Sequence, residues 1–265
     1  MSVVQGVNIH MKKHEPQMYD FYENYYKTTA KNPVFMRYCR EVYGADFTQD
    51  GFSDINELND LIDMTGIDKN TAVLDIGCGD GGMCEYIHKQ TGAPVCGFDC
   101  SGSAIARADE RALKYPALRF SVGTFGKHDY PEASFDVVLS VDTMYFAEDI
   151  RAFVKQIYGW LKPGGVHAAM YGCYDKIEPD IGRDSTTLAR ALRGENYTYE
   201  AIDYTKSYYR HMKLKRKTAE KMADDFRREG MESFYDRLVT ESVDPVMTYC
   251  EFARHFSRYM YIVRK

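Results

Sequence analysis

The chain has 265 residues, 45% of them hydrophobic, and a formal net charge of -5 at pH 7. That is enough apolar material for one sizeable core and the wrong sign for a nucleic-acid or anionic-membrane binder. No apolar run approaches the roughly 18 residues of a membrane span, and Met1 to Met11 lacks the basic-then-apolar pattern of a secretory leader. Seven cysteines, an odd number without a CxxC pair, read as reduced thiols of a cytoplasmic protein and supply no structural zinc. The compositional outlier is 22 tyrosines against one tryptophan.

In chain order, Met18, Phe21, Tyr22, Tyr25 and Thr29 fall at helical spacing and share one face. Ser53 is the expected N-cap of a second helix, Asp54 to Met64, ended by Gly66,. Residues 1–70 are therefore expected to form an N-terminal helical cap. From Thr71 the pattern changes. Thr71–Ile76, Val95–Asp99, Leu118–Val122, Phe135–Val141 and Val166–Tyr171 read as buried strands,. Helices alternate with them: Cys84–Thr91, Ser103–Lys114 and Asp149–Leu161, the last stopping at Lys162-Pro163-Gly164-Gly165,. Strands and helices at this rhythm predict an α/β, doubly wound, Rossmann-like, mostly parallel sheet over residues 71–174. Residues 175–230 are expected as a helical insertion after the fifth strand, with Leu214–Glu229 a charged helix. Residues 231–265 are expected to complete a seven-stranded sheet with Phe234–Val239 and Arg258–Val263.

The chemistry centres on Asp75-Ile76-Gly77-Cys78-Gly79-Asp80-Gly81-Gly82. A tight strand-to-helix turn of this kind brings ligand and backbone amides together because no side chain intervenes. Asp99, ending the next strand, suits a bidentate grip on two ribose hydroxyls. Gly77, Gly79 and Gly82 also satisfy the dinucleotide pattern GxGxxG, so NAD is the rival ligand. Asp75 weighs against it: a carboxylate beside the loop repels a pyrophosphate and attracts an ammonium or a sulfonium.

Together, Val73-Leu74-Asp75-Ile76-Gly77-Cys78-Gly79, Gly97-Phe98-Asp99, Phe135-Asp136-Val137-Val138 and Leu161-Lys162-Pro163-Gly164-Gly165 resemble the class I S-adenosylmethionine-dependent methyltransferases. The similarity is to the small-molecule branch that includes ubiquinone-biosynthesis and sarcosine or phosphoethanolamine methyltransferases. It spans roughly residues 70–172. The resemblance implies S-adenosylmethionine as cofactor, with Gly77, Cys78 and Gly79 beside its methionine half and Asp75 orienting the loop. It implies Asp99 on the ribose, Cys100 flanking the adenine and Phe125 packing on it. Thr124 stands where the family usually has an acid. Ser140 to Asp142 are expected to face the sulfonium, and Tyr25 or Tyr26 to cover the cofactor as part of a lid hinged at Asp50-Gly51.

Because ligands in open α/β sheets sit outside the carboxyl ends of strands, Tyr145, Tyr171 and Tyr174 are the expected acceptor contacts. Transfer from a sulfonium needs alignment and dryness rather than a metal, and alignment supplies up to ~7–11 kcal/mol. No metal site is expected. A general base cannot be chosen among His10, His14, His128, His167, His211 and His255. Three alternatives stay open: a cofactor-binding regulator without turnover, an RNA methyltransferase using the basic run Arg210 to Lys217, and an NAD-dependent enzyme. Whether the chain forms a homo-oligomer also stays open.

Overall fold

Short apolar runs that end at glycine or aspartate become the strands of one sheet. The computed structural model describes residues 16–29 and 31–265, with side chains from residue 19 onward. His10, His14 and the Met1–Met11 stretch lie outside the described residues. Strands β1 (Val73–Ile76), β2 (Val95–Asp99), β3 (Leu118–Val122), β4 (Phe135–Val141) and β5 (Leu161–Tyr174) run parallel. Two antiparallel strands, β6 (Tyr199–Asp203) and β7 (Phe256–Arg264), extend the sheet beyond β5. The order is β3-β2-β1-β4-β5-β7-β6, the expected seven-stranded, mostly parallel sheet. The chain turns from one half of the sheet to the other between β1 and β4, and this reversal opens a crevice at their carboxyl ends.

Helices cover both faces. The first three are α1 (Pro16–Thr29), α2 (Pro33–Tyr43) and α3 (Ile55–Thr65), the expected helical N-terminal segment. Asp54, not Ser53, caps α3: its Oδ1 accepts the amides of Asn56 and Glu57 at 2.9 and 3.0 Å. Ser53 is occupied elsewhere, its hydroxyl accepting from Arg258 at 2.6 Å. Gly66 closes α3 in the left-handed region (φ 66°), as expected.

The crossover helices are α4 (Gly82–Thr91), α5 (Gly102–Ala112) and α6 (Ile150–Trp160), with α7 (Thr187–Gly194) following β5. Phe153, Ile157 and Trp160 of α6 bury one face against Val138 and Ala169 of the sheet. The opposite face receives Phe35, Tyr38, Leu58 and Leu61 from α2 and α3, and Ile87 from α4.

Two expectations about the C-terminal third are corrected. Phe234–Val239 is not a strand but the middle of α10 (Glu232–Thr240). Phe234 and Leu238, one helical turn apart, both pack on the cap-side core, whereas a strand would alternate sides. The second added strand is instead β6, whose half-buried residues 199–203 pair only with β7. The long helical excursion therefore comes after β6. It comprises α8 (Thr205–Lys221), α9 (Ala223–Arg228), α10 and α11 (Tyr249–His255). The expected charged helix Leu214–Glu229 is split at Met222 between α8 and α9. No helix among the described residues is long and apolar enough to cross a membrane.

Arg258 of β7 is 0% exposed. It donates to Glu57 Oε2 of α3 at 3.1 Å, to Ser53 Oγ at 2.6 Å and to both carboxylate oxygens of Asp142, just past β4. Phe52 and Tyr208 flank its guanidinium at 5.9 and 5.6 Å. Burial raises the Glu57 carboxyl, and Arg258 opposes that rise. Removing one member of such a network leaves the others desolvated and unpaired. Arg258→Ala should therefore lower the unfolding free energy by about 3–5 kcal/mol, read in urea as a lower midpoint at an unchanged slope.

Candidate functional site

The turn between β1 and α4 is shaped by close approaches that only glycine allows. Gly77 and Gly79 sit at φ 73° and 55°. A Cβ on Gly77 would lie 2.6 Å from Thr143 Cγ2, and one on Gly79 would lie 2.3 Å from Tyr26 Oη. The loop is also tied to its neighbours. The amides of Gly77 and Cys78 donate to Phe98 O at 2.8 and 3.0 Å. Asp99 accepts from Gly79 N at 3.0 Å and from Ser101 N at 2.9 Å. Asp80 is clamped by Arg107 at 3.2 Å and Arg111 at 2.9 Å, so its charge serves the loop's shape.

A cavity enclosing about 990 Å³ of empty space, mouth included, opens above this turn. Asp75, Gly77, Cys78, Gly79, Asp99 and Cys100 line it, together with Thr124, Phe125 and Asp142. Nine of the expected cofactor-side residues are thus brought together. Burial pushes the Asp75 carboxyl up to about 6, against a hydrogen bond from the Cys84 thiol at 3.2 Å. Burial raises Asp99 as well, opposed by its two backbone donors. Two desolvated carboxylates facing one cavity are suited to hydroxyl and cationic groups.

Ser140 and Tyr25 do not line this cavity. Ser140 is fully buried within β4, its hydroxyl 3.0 Å from His167 Nε2 on β5, because it points into the sheet's other layer. Tyr25 turns toward Phe35 and Phe234, ring to ring at 5.9 and 5.7 Å. Its neighbour Tyr26 holds the position over Gly79.

A second cavity adjoins the first and shares Tyr22, Asp50 and Phe146 with it. Of the three tyrosines expected to contact the acceptor, Tyr145 and Tyr174 line it. Tyr171 does not. Its ring is buried against Tyr145 at 5.8 Å, and its hydroxyl donates to Glu178, which reaches the cavity in its place. No histidine among the described residues lines either cavity. His128, for example, packs on Phe98 at 4.8 Å.

Sequence reasoning missed the wall between the cavities, residues 49–53. Asp50-Gly51, expected as a joint, is tied at both residues. Asp50 accepts from Arg237 of α10, and Gly51 O accepts from Tyr43 Oη at 3.2 Å and Lys215 Nζ at 3.4 Å. Helix α1 is docked by Glu23, which accepts from Ser101 Oγ at 2.7 Å and from Ser103 N and Oγ at 3.1 and 2.5 Å. Those bonds, Ser103 foremost, bring the Glu23 carboxyl down to about 2. The one signal available in the sequence for the wall was its polar, glycine-containing composition. That marks a turn but not what holds it.

Residues 73–165 match the family model described as a methyltransferase domain. The chain is 35% identical over 136 residues to phosphoethanolamine N-methyltransferase 3 of Arabidopsis thaliana, covering 51% of this chain and 27% of that protein. It is 31% identical over 159 residues to a sterol 24-C-methyltransferase of Gibberella zeae, covering 59% and 40%. The chain thus spans well under half the length of these curated relatives. Among solved structures it resembles Haemonchus contortus phosphoethanolamine N-methyltransferase 2 in complex with phosphomonomethylethanolamine and S-adenosylhomocysteine. The TM-score is 0.71 at 18% identity, over 92% of this chain and 60% of that one. The 4+2 cyclase SpnF shares the fold at TM-score 0.67 and 17% identity, over 98% of both chains. Over residues 73–165 the chain is thus similar to a methyltransferase domain, and its sheet has the Rossmann-like fold of these neighbours.

Proposed function

We propose that the chain transfers the methyl group of S-adenosylmethionine to a small acceptor bound in the second cavity. The observation that carries this reading is the pair of buried carboxylates, Asp75 and Asp99, lining a cavity that opens at Tyr22, Asp50 and Phe146 into an aromatic one. When bound, the cofactor supplies a methyl group already activated on a sulfonium. Asp99 would hold the ribose hydroxyls, with its own geometry set by Gly79 N and Ser101 N. Asp75 would face the cationic end, and the bare backbone of Gly77 and Gly79 would let that end approach. Phe125 lines the same cavity and offers a flat apolar surface to a base. Tyr22, Tyr26 and Phe146 would close the junction and keep it dry, so that acceptor and methyl meet in line.

The same features weigh against NAD, whose pyrophosphate would face Asp75. The basic run also gives little free basic face. Lys215 is buried, Lys213 bonds Pro245 O at 2.7 Å and Arg216 pairs with Glu220 at 2.8 Å. This favours a small molecule over RNA as acceptor. Thiols buried in the core, such as Cys39 and Cys84, support a reducing, cytoplasmic setting.

Calorimetry tests the cofactor. S-adenosylhomocysteine should bind and NAD should not, and Asp99→Ala should weaken binding by about tenfold or more. NAD binding without a response to S-adenosylhomocysteine would refute the reading. Cofactor binding without S-adenosylhomocysteine release against a broad acceptor panel would favour a regulator.

Asp75 predicts the pH profile. Its folded-state value of about 6 lies above the ordinary 3.8. Ionising it in the empty cavity therefore costs stability as pH rises from about 4 to about 6. A cationic ligand needs the ionised form. The affinity for S-adenosylhomocysteine, which keeps the ammonium, should rise with pH through about 6 and level off above it. Asp75→Asn should flatten that rise.

A further inference from the structure

We infer that Glu23 is a positioning residue, the clasp that holds helix α1 against the start of α5 and so sets how long the cofactor stays bound. The clasp rests on the methyl-transfer reading for the identity of that cofactor, but its own residues do not depend on it. Phe21 and Tyr22 of α1 line the second cavity, and Tyr22 and Tyr26 line the first. One helix thus roofs both places that a two-substrate reaction has to fill and empty.

The two supports of this roof differ in kind. Toward α2 and α10, Tyr25 meets the rings of Phe35 and Phe234 at 5.9 and 5.7 Å, and the Arg237 guanidinium lies over the Phe21 ring at 4.4 Å. Ring contacts of this kind are weakly directional and persist through a small rotation of the helix. Toward α5, Glu23 accepts three bonds, from Ser101 Oγ at 2.7 Å and from the amide and hydroxyl of Ser103 at 3.1 and 2.5 Å. Those bonds are directional and charge-assisted, and they lie at the positive end of the α5 dipole. A rotation that the aromatic side tolerates therefore breaks the α5 side. The pivot is the aromatic contact, not Asp50-Gly51, which is tied at both residues. A second tie to α5, Lys31 to Glu110 at 3.2 Å, is exposed at both ends and adds little,.

Ser101 connects the clasp to the cofactor side. Its amide donates to Asp99 at 2.9 Å while its hydroxyl donates to Glu23. A ribose drawn to Asp99 steadies the same residue that Glu23 grips, so cofactor binding and the docking of α1 strengthen each other by one common factor. One turn along α1 from Tyr22, Tyr26 sets its hydroxyl close over Gly79. Glu23 acts through these two rings and lines neither cavity. Its carboxyl, held down to about 2 by Ser103 above all, stays ionised across the range in which Asp75 titrates.

Hydrogen exchange and ligand-dissociation kinetics on the full chain test the clasp, using Glu23→Gln and Ser103→Ala. Without ligand, the amides of residues 19–29 should exchange about tenfold or more faster in Glu23→Gln than in the wild type, with α2 and α3 unchanged. S-adenosylhomocysteine should leave Glu23→Gln about tenfold or more faster, while its affinity still rises with pH through about 6. Ser103→Ala, which removes one bond of the three, should move both readouts the same way by less. Wild-type exchange in α1 of Glu23→Gln, or wild-type dissociation from a variant whose α1 has loosened, would overturn the inference. So would a variant in which every helix loosens alike, since Glu23 would then be an ordinary structural contact. Wild-type protein that fails to bind S-adenosylhomocysteine, with α1 still loosened by Glu23→Gln, would overturn the cofactor and leave the clasp standing.

Discussion

The arrangement of the site depends on one buried cation. Arg258 comes from the last strand, and its partners come from the cap, from the loop that precedes α3 and from the end of β4. These segments are far apart in the chain and share no backbone ladder other than the sheet itself. Their common guanidinium fixes where Asp142 and Ser53 stand, and hence where the wall between the two cavities runs. Phe52, next to Ser53, donates its amide to Asp142 at 3.0 Å, so the wall is tied to the switch point of the sheet by side chain and backbone together. A planar, permanently charged fork suits this work, since it can serve three acceptors in one plane without losing its proton.

Around that hub the charges divide by whether the protein answers them. Arg111 and Asp80, Arg237 and Asp50, and Glu23 with its two serines are matched internally and give the loop, the wall and α1 their positions. Asp75 and Asp99 are buried with less compensation than their charge calls for. Matched groups hold the framework, and under-matched groups in a cavity are where ligand binding recovers the desolvation already incurred. Two under-matched carboxylates face the glycine turn.

The tyrosine excess finds several uses in this scheme. Tyr38 and Tyr43 are core residues, essentially without exposure. Tyr22 and Tyr26 line the first cavity, and Tyr145, Tyr174 and Tyr208 the second. A ring that fills apolar space and ends in a hydroxyl serves both settings. Composition could report the excess but not its distribution.

The sequence by itself determined the five parallel strands and β7, the glycine turn and the acids beside it, but not β6. Each of these rests on local information: an apolar run of strand length, glycines where φ is positive, an aspartate at a strand's end. It misjudged Phe234–Val239 because a six-residue apolar-and-polar stretch reads either way until its packing partners are known, and here the stretch packs as a helix beside α8 and α9, with Phe234 against Tyr25 of α1 and Phe35 of α2,. Only the tertiary structure decided that Tyr26 rather than Tyr25 covers Gly79, since adjacent positions on one helix differ by about 100° of rotation around its axis. It alone placed Lys215, buried in a run of basic residues, in the wall of a cavity that Tyr174 also lines. Charge compensation is a property of neighbours in space, and the neighbours of Lys215, Asp50 and Arg258 are assembled from segments that nothing in the linear chain brings together.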